Sequence, residues 1–195
     1  ELASLVMRYL WETRPMVSSG GTFTCAIKAG GSLECWGDNS SGESTVPNEF
    51  TKGVLQVSAG GHHTCAIKID GTLGCWGADY YGQTTIPYEF ERKALQVSTG
   101  GWHTCAIKAD GTLGCWGNNS ERQTRVPYEF KNGVTQVSAG THHTCAIKTD
   151  GTLGCWGDNS KGQITVPDEF TEGALQVSAG NWHTCAIKAD GTLGC

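Results

Sequence analysis

Val57-Ser58-Ala59-Gly60-Gly61-His62-His63-Thr64-Cys65-Ala66-Ile67-Lys68-Ile69-Asp70-Gly71-Thr72-Leu73-Gly74-Cys75-Trp76-Gly77 is one copy of a motif that returns every 40 residues. Equivalent copies begin at Val17, Val97, Val137 and Val177, without insertion or deletion. A second element, V-P-x-E-F-x-x-G, starts at Val46, Val126 and Val166, and in one copy Ile86 replaces its valine and Lys93 its glycine. Self-similarity at a fixed period of this length marks a repeat architecture. The units are therefore 17–56, 57–96, 97–136, 137–176 and a partial 177–195, preceded by a lead-in or closing segment, 1–16.

Within one unit the runs LQVSAG, HTCAIK and TLGCWG carry β-forming residues separated by turn signals, which predicts an all-β repeat. Asp70-Gly71 suits a three-residue hairpin loop with glycine in the left-handed position. Setting Lys68 opposite Thr72 then pairs Ile67 with Leu73, Ala66 with Gly74 and Cys65 with Cys75. Because side chains alternate along a strand, Cys65, Ile67, Leu73 and Cys75 share one face, which should be core.

Directly opposed Cβ atoms lie about 4.5 to 5.5 Å apart, close enough for a disulfide after a small adjustment. The same spacing pairs Cys25 with Cys35, Cys65 with Cys75, Cys105 with Cys115, Cys145 with Cys155 and Cys185 with Cys195. Reduced, buried thiols are the alternative, since free cysteine is often buried. Zinc fits poorly, because nine residues across a hairpin do not make a C-x₂-C knuckle. Oxidised pairs imply an extracellular, periplasmic or cell-surface protein.

With 14 Lys and Arg against 19 Asp and Glu, the chain has a net charge of −5 and is a poor phosphate binder, so no nucleic-acid partner is expected. No stretch approaches the roughly 20 apolar residues of a membrane-spanning helix. Leu2, Leu5, Val6 and Leu10 place an apolar stripe on the first residues, read as a short amphipathic helix or an irregular lead-in.

One unit of this length cannot bury both faces alone, so neighbours must stack, and a ring removes the exposed edges. From Gly60 to Lys68 and from Asp70 to Gly77, continuing into Gly82-Gln83, the sequence resembles the repeats of the regulator of chromosome condensation family. The resemblance extends over residues 17 to 195. It implies a β-propeller, seven-bladed as a rule, in a family that includes a guanine nucleotide exchange factor, a plant photoreceptor and a bacterial β-lactamase inhibitor. This chain has material for about five blades. A piece of a seven-bladed ring, an open arc, and closure by oligomerisation all stay open, and the paired cysteines point to exported relatives. Fold transfers within such a family, whereas activity does not.

Where nearly identical copies differ, binding can be tuned. The column before the repeated histidine reads Thr22, His62, Trp102, His142 and Trp182, and its neighbour reads Gly21, Gly61, Gly101, Thr141 and Asn181. Lying between strands, these residues should gather on one end face, where aromatic side chains can anchor a protein or stack on a sugar. Packing between blades is the competing reading of His62, Trp102, His142 and Trp182. The loop after Trp-Gly also varies, and Tyr80, Tyr81, Arg122 and Arg125 are its distinctive members, against the plainer reading of solvated turns. Oxygen-rich residues there stop short of a calcium loop because Ala78 breaks the set.

His63, His103, His143 and His183 recur once per unit, and Phe23 takes their place in the first. A hydrogen bond to a neighbouring backbone or threonine explains them better than a metal. Trp36, Trp76, Trp116 and Trp156 read as blade packing. Asn39 and Asn118 head glycosylation sequons. Neither a Ser-His-Asp set nor a phosphate-cradling loop occurs, so the expectation is a non-enzyme without cofactor or metal. The leading function is protein binding through one loop face. A lectin-like carbohydrate binder is the alternative, followed by nucleotide exchange on a small GTPase.

Overall fold

The computed structural model describes residues 15–195. The short amphipathic helix or irregular lead-in expected over the first residues lies outside them. Five three-stranded antiparallel sheets follow one another: β1 (Met16–Ser19), β2 (Phe23–Ile27) and β3 (Leu33–Gly37); β4 (Val54–Ala59), β5 (His63–Lys68) and β6 (Leu73–Gly77); β7 (Ala94–Thr99), β8 (His103–Lys108) and β9 (Leu113–Gly117); β10 (Val134–Ala139), β11 (His143–Lys148) and β12 (Leu153–Gly157); β13 (Ala174–Ala179), β14 (Thr184–Lys188) and β15 (Leu193–Gly194). These are successive blades of a β-propeller. Residue 16, counted with the lead-in above, is the first residue of β1.

The hairpin register is the one read from the turn: Ile67 opposes Leu73, Ala66 opposes Gly74 and Cys65 opposes Cys75. Lys68 N–H donates to Thr72 O at 2.9 Å, the Asp70 carboxylate accepts from Thr72 N–H at 3.0 Å, and Gly71 sits at φ 80°. Five disulfides close the five hairpins, from Cys25–Cys35 to Cys185–Cys195, with Cα atoms 4.0 to 4.1 Å apart. Such pairs persist in an oxidising environment.

Cys65, Ile67 and Leu73 are buried as expected, with Cys75 partly buried, but from the second sheet onward the opposite face is core as well. The disulfide face of one blade packs against the valine, alanine and tryptophan face of the next: Cys65, Ile67 and Leu73 meet Val97, Ala106 and Trp116. Phe90, delivered by a short 3₁₀ turn after the conserved-spacing proline, fills the same junction, and Phe50, Phe130 and Phe170 repeat the arrangement. The indole rings of Trp76, Trp116 and Trp156 lie 5.7 to 5.8 Å from these phenylalanines and donate to Glu43 O, Gln83 O and Gln123 O. Trp36 departs from the blade-packing expectation: it is 54% exposed, where Trp76 is 9%, because among the described residues no sheet packs on its face.

The first strand of each sheet lies beside the first strands of its neighbours, and side chains join them. Gln56 donates through Nε2 to Val97 O at 3.2 Å and accepts through Oε1 from Val97 N–H at 2.9 Å. Gln96 clamps Val137 and Gln136 clamps Val177 in the same way. Ser18, Ser58, Ser98 and Ser138 accept from the amides of Ala59, Thr99, Ala139 and Ala179, and Ser58 Oγ also bonds Thr99 Oγ1 at 2.8 Å. A repeated glutamine thus supplies to neighbouring strands the backbone partners that a continuous sheet would have supplied.

Candidate interaction surface

The loop between the first and second strands and the loop after the third emerge at the same end of the propeller. Ala78 N–H donates to His62 O at 2.9 Å, and Asn118 and Asp158 repeat this contact to Trp102 O and His142 O. The two variable regions of the sequence, separate there, therefore form one surface. Neighbouring blades meet backbone to backbone at the first loop: Gly61 N–H donates to Gly100 O at 3.1 Å and Gly101 N–H to Gly140 O at 3.3 Å, and between the last two blades Thr141 Oγ1 also donates to Asn181 Oδ1 at 3.0 Å. A Cβ on Gly100 would lie 2.3 Å from Gly140 O, so glycine is required for this approach.

That close approach brings the side chains of adjacent blades into register. His62 stacks on Trp102 with ring centroids 4.6 Å apart and planes 26° from parallel. Tyr81 meets Trp102 edge-on at 5.9 Å and Tyr80 lies at 6.0 Å. His142 and Trp182 form a second pair at 5.6 Å. Tyr80, Tyr81 and Trp182 are 76%, 54% and 47% exposed, which leaves apolar rings at the surface of the described residues. Arg122, the seventh residue expected here, takes no part in these ring contacts; it is exposed and sits at φ 66°, at the position of Gly42, Gly82 and Gly162. A non-glycine residue in that region is strained by roughly 1 to 2 kcal/mol.

Beneath this surface three of the repeated histidines, His63, His103 and His143, are structural, whereas His183 in the last sheet is exposed. His63 is fully buried and its Nε2 lies 2.9 Å from Thr104 Oγ1, whose hydroxyl donates to Gln83 O at 2.8 Å. The hydroxyl proton being committed, histidine must be the donor, which puts the imidazole proton on Nε2. His103 to Thr144 and His143 to Thr184 repeat the bond. Burial away from water holds His63 and His143 down to about 4 and His103 to about 3. The threonine hydrogen bond expected from sequence is present, and it runs to the following blade.

One set of residues escaped the sequence reading. In blades 1, 3 and 4 the residue after Trp-Gly closes its own loop: Asp38, Asn118 and Asp158 accept from the N–H of Ser40, Ser120 and Ser160. Asn118 also accepts from Gln123 Nε2 at 2.9 Å and Asp158 from Gln163 Nε2 at 2.8 Å. Blade 2 has Ala78 in this column. The substitution was visible as an interruption of an Asp/Asn column, but its partner, the buried glutamine five residues on, was not.

The model of the Regulator of chromosome condensation (RCC1) repeat matches residues 17–43, 54–83, 95–123 and 134–163. Among solved structures, Prp20p from Saccharomyces cerevisiae, described with its binding properties to Gsp1p and histones, is similar with a TM-score of 0.71 at 19% identity, over 91% of this chain and 55% of that one. Human WBSCR16 gives 0.74 at 17% identity, over 93% and 61%. The CRINKLY ectodomain of the Arabidopsis thaliana receptor kinase ACR4 gives 0.69 at 24% identity, over 89% and 66%. The chain thus spans between half and two thirds of the length of these structures, and at such identities the likeness is one of fold. No curated protein matches the sequence.

Proposed function

The chain belongs to the family of regulator of chromosome condensation repeats, and from that premise we propose that it is a non-catalytic module that binds a protein partner through the end face bearing Trp102. The observation that carries this reading is the gathering of His62, Tyr80, Tyr81 and Trp102, from three loops of two blades, into one aromatic cluster in which the tyrosines are exposed and His62 and Trp102 half-buried. Exposed rings rimmed by polar loops mark interaction sites, and tyrosine and tryptophan supply much of the energy in protein interfaces. The His142–Trp182 pair and Arg122, strained and exposed in the next loop, extend the surface. The setting is extracellular, periplasmic or cell-surface, in keeping with the five disulfides and with the likeness to a receptor-kinase ectodomain.

Lectin-like binding would call for equivalent sites on every blade. The tyrosines stand at one junction only, which favours a single composite surface. Nucleotide exchange on a cytosolic GTPase is disfavoured by the disulfides. The test compares the wild-type protein with Trp102→Ala and with Tyr80→Ala/Tyr81→Ala in crosslinking and affinity measurements against the exported proteins of the source organism. Loss of an anchor residue typically costs at least about 2 kcal/mol, a roughly 30-fold weaker Kd, with the thermal midpoint unchanged. Glycan-array binding with one site per blade would overturn the proposal.

A further inference from the structure

The loop that carries Tyr80 and Tyr81 is also the loop whose internal acceptor is missing. In blade 4 the Asp158 side chain accepts three hydrogen bonds, from Ser160 N–H at 2.9 Å, Ser160 Oγ at 2.9 Å and Gln163 Nε2 at 2.8 Å. In blade 3 Asn118 Oδ1 accepts the same three, from Ser120 N–H, Ser120 Oγ and Gln123 Nε2. Blade 2 keeps two of these donors, Tyr80 N–H and Gln83 Nε2, but Ala78 offers no oxygen to receive them. Gln83 is fully buried, its Oε1 is taken by Tyr81 N–H at 2.9 Å, and its Nε2 has no partner among the described residues. An unmade bond on a buried amide is an unusual cost, tolerated where a ligand or ordered water completes it.

We infer that this vacancy is a socket for a planar carbonyl acceptor the size of an Asn or Asp side chain, brought by the partner. The ligand class follows from the repeats themselves, which fill the same position with a carboxamide in Asn118 and a carboxylate in Asp158. In those blades the filling side chain is half-buried and reaches the surface, whereas Ala78 is itself buried, so the two donors of blade 2 lie just beneath the surface. Charge decides between the two. Asp79 stands next to Ala78, where blades 1, 3 and 4 have asparagine, and its carboxylate is engaged with Thr84 N–H at 2.7 Å and Thr85 Oγ1 at 2.8 Å. A second carboxylate beside it is repelled, so the neutral carboxamide of Asn or Gln is preferred. An incoming amide would be gripped by the two donors while the backbone that bears it lies against the rings of Tyr80, Tyr81 and Trp102.

This deepens the protein-binding reading and rests on it only for what carries the amide; the socket is tested without any partner. Acetamide, acetate and methylammonium are titrated into ¹⁵N-labelled protein. Acetamide should shift the Tyr80 amide and the Gln83 side-chain NH₂ in a saturable way, acetate more weakly and methylammonium not at all. Ser120 N–H and Gln123 NH₂, already partnered, should stay in place. Ala78→Asn should move the Tyr80 and Gln83 signals toward those of Ser120 and Gln123, raise the thermal midpoint and abolish the acetamide response. Equal shifts at Ser120 and Tyr80, no response at the highest tolerated concentration, or an unchanged response in Ala78→Asn would each overturn the socket. A silent acetamide titration beside a Trp102→Ala variant that loses its partner would remove the socket and leave the aromatic face standing.

Discussion

Acidification should unfold this propeller through its buried histidines before its carboxylates respond. His63 and His143 are held down to about 4 and His103 to about 3, all by burial. In the unfolded chain histidine titrates near 6.5. A depressed folded value means that the unfolded state takes up the proton first, so stability is complete above about pH 6.5 and is lost as the pH falls from there toward 4. Each histidine contributes a slope of about 1.4 kcal/mol per pH unit, and three together roughly 4. A fall of two to three pH units therefore removes about 8 to 12 kcal/mol, most of a typical domain stability of about 5 to 15 kcal/mol. The depressed aspartates, among them Asp70 and Asp110, act in the same direction but only below their ordinary value of 3.8. Unfolding free energies from denaturant titrations at half-unit steps between pH 7 and 4 give the slope. His103→Phe isolates one histidine, because Phe23 fills the same position in the first blade; the slope should fall by about a third. A flat profile above pH 4.5, or a slope unchanged in His103→Phe, would refute the account.

Gly100→Ala should destabilise the fold by about 3 kcal/mol or more, since its Cβ would lie 2.3 Å from Gly140 O and 2.4 Å from the His103 ring; the shift in denaturation midpoint measures it. Gln96→Ala removes the clamp on Val137 and leaves its backbone partners unmade, at about 2 to 3 kcal/mol, whereas Leu95→Ala, exposed on the same strand, should cost far less, which the same titration separates. Glu43→Gln should stabilise by about 1 kcal/mol: Glu43 is fully buried with Oε1 unpartnered, and the amide it replaces in Gln163 donates to Asp158, whose counterpart Asp38 is present in blade 1.

The hairpins were legible because everything that builds them is local. Asp70-Gly71 sets the turn, the turn sets the register, and a separation of 10 residues then places Cys65 opposite Cys75 in every copy. The 40-residue period required stacking, since one sheet cannot cover its own two faces. What the pattern of a single strand did not disclose was the second core face, because Ala66, Val57 and Trp76 take their neighbours from an adjacent repeat. His63 to Thr104, Gln56 to Val97 and Gly61 to Gly100 join residues about one repeat apart, and nothing in the spacing of either member names its partner. For the same reason His62, Trp102 and the Tyr80-Tyr81 loop appeared as separate variable columns. The sequence alone determined which positions vary and that they lie in loops. Only the stacking of one blade on the next, at the distance that Gly60, Gly100 and Gly140 permit, decided that they meet as one surface.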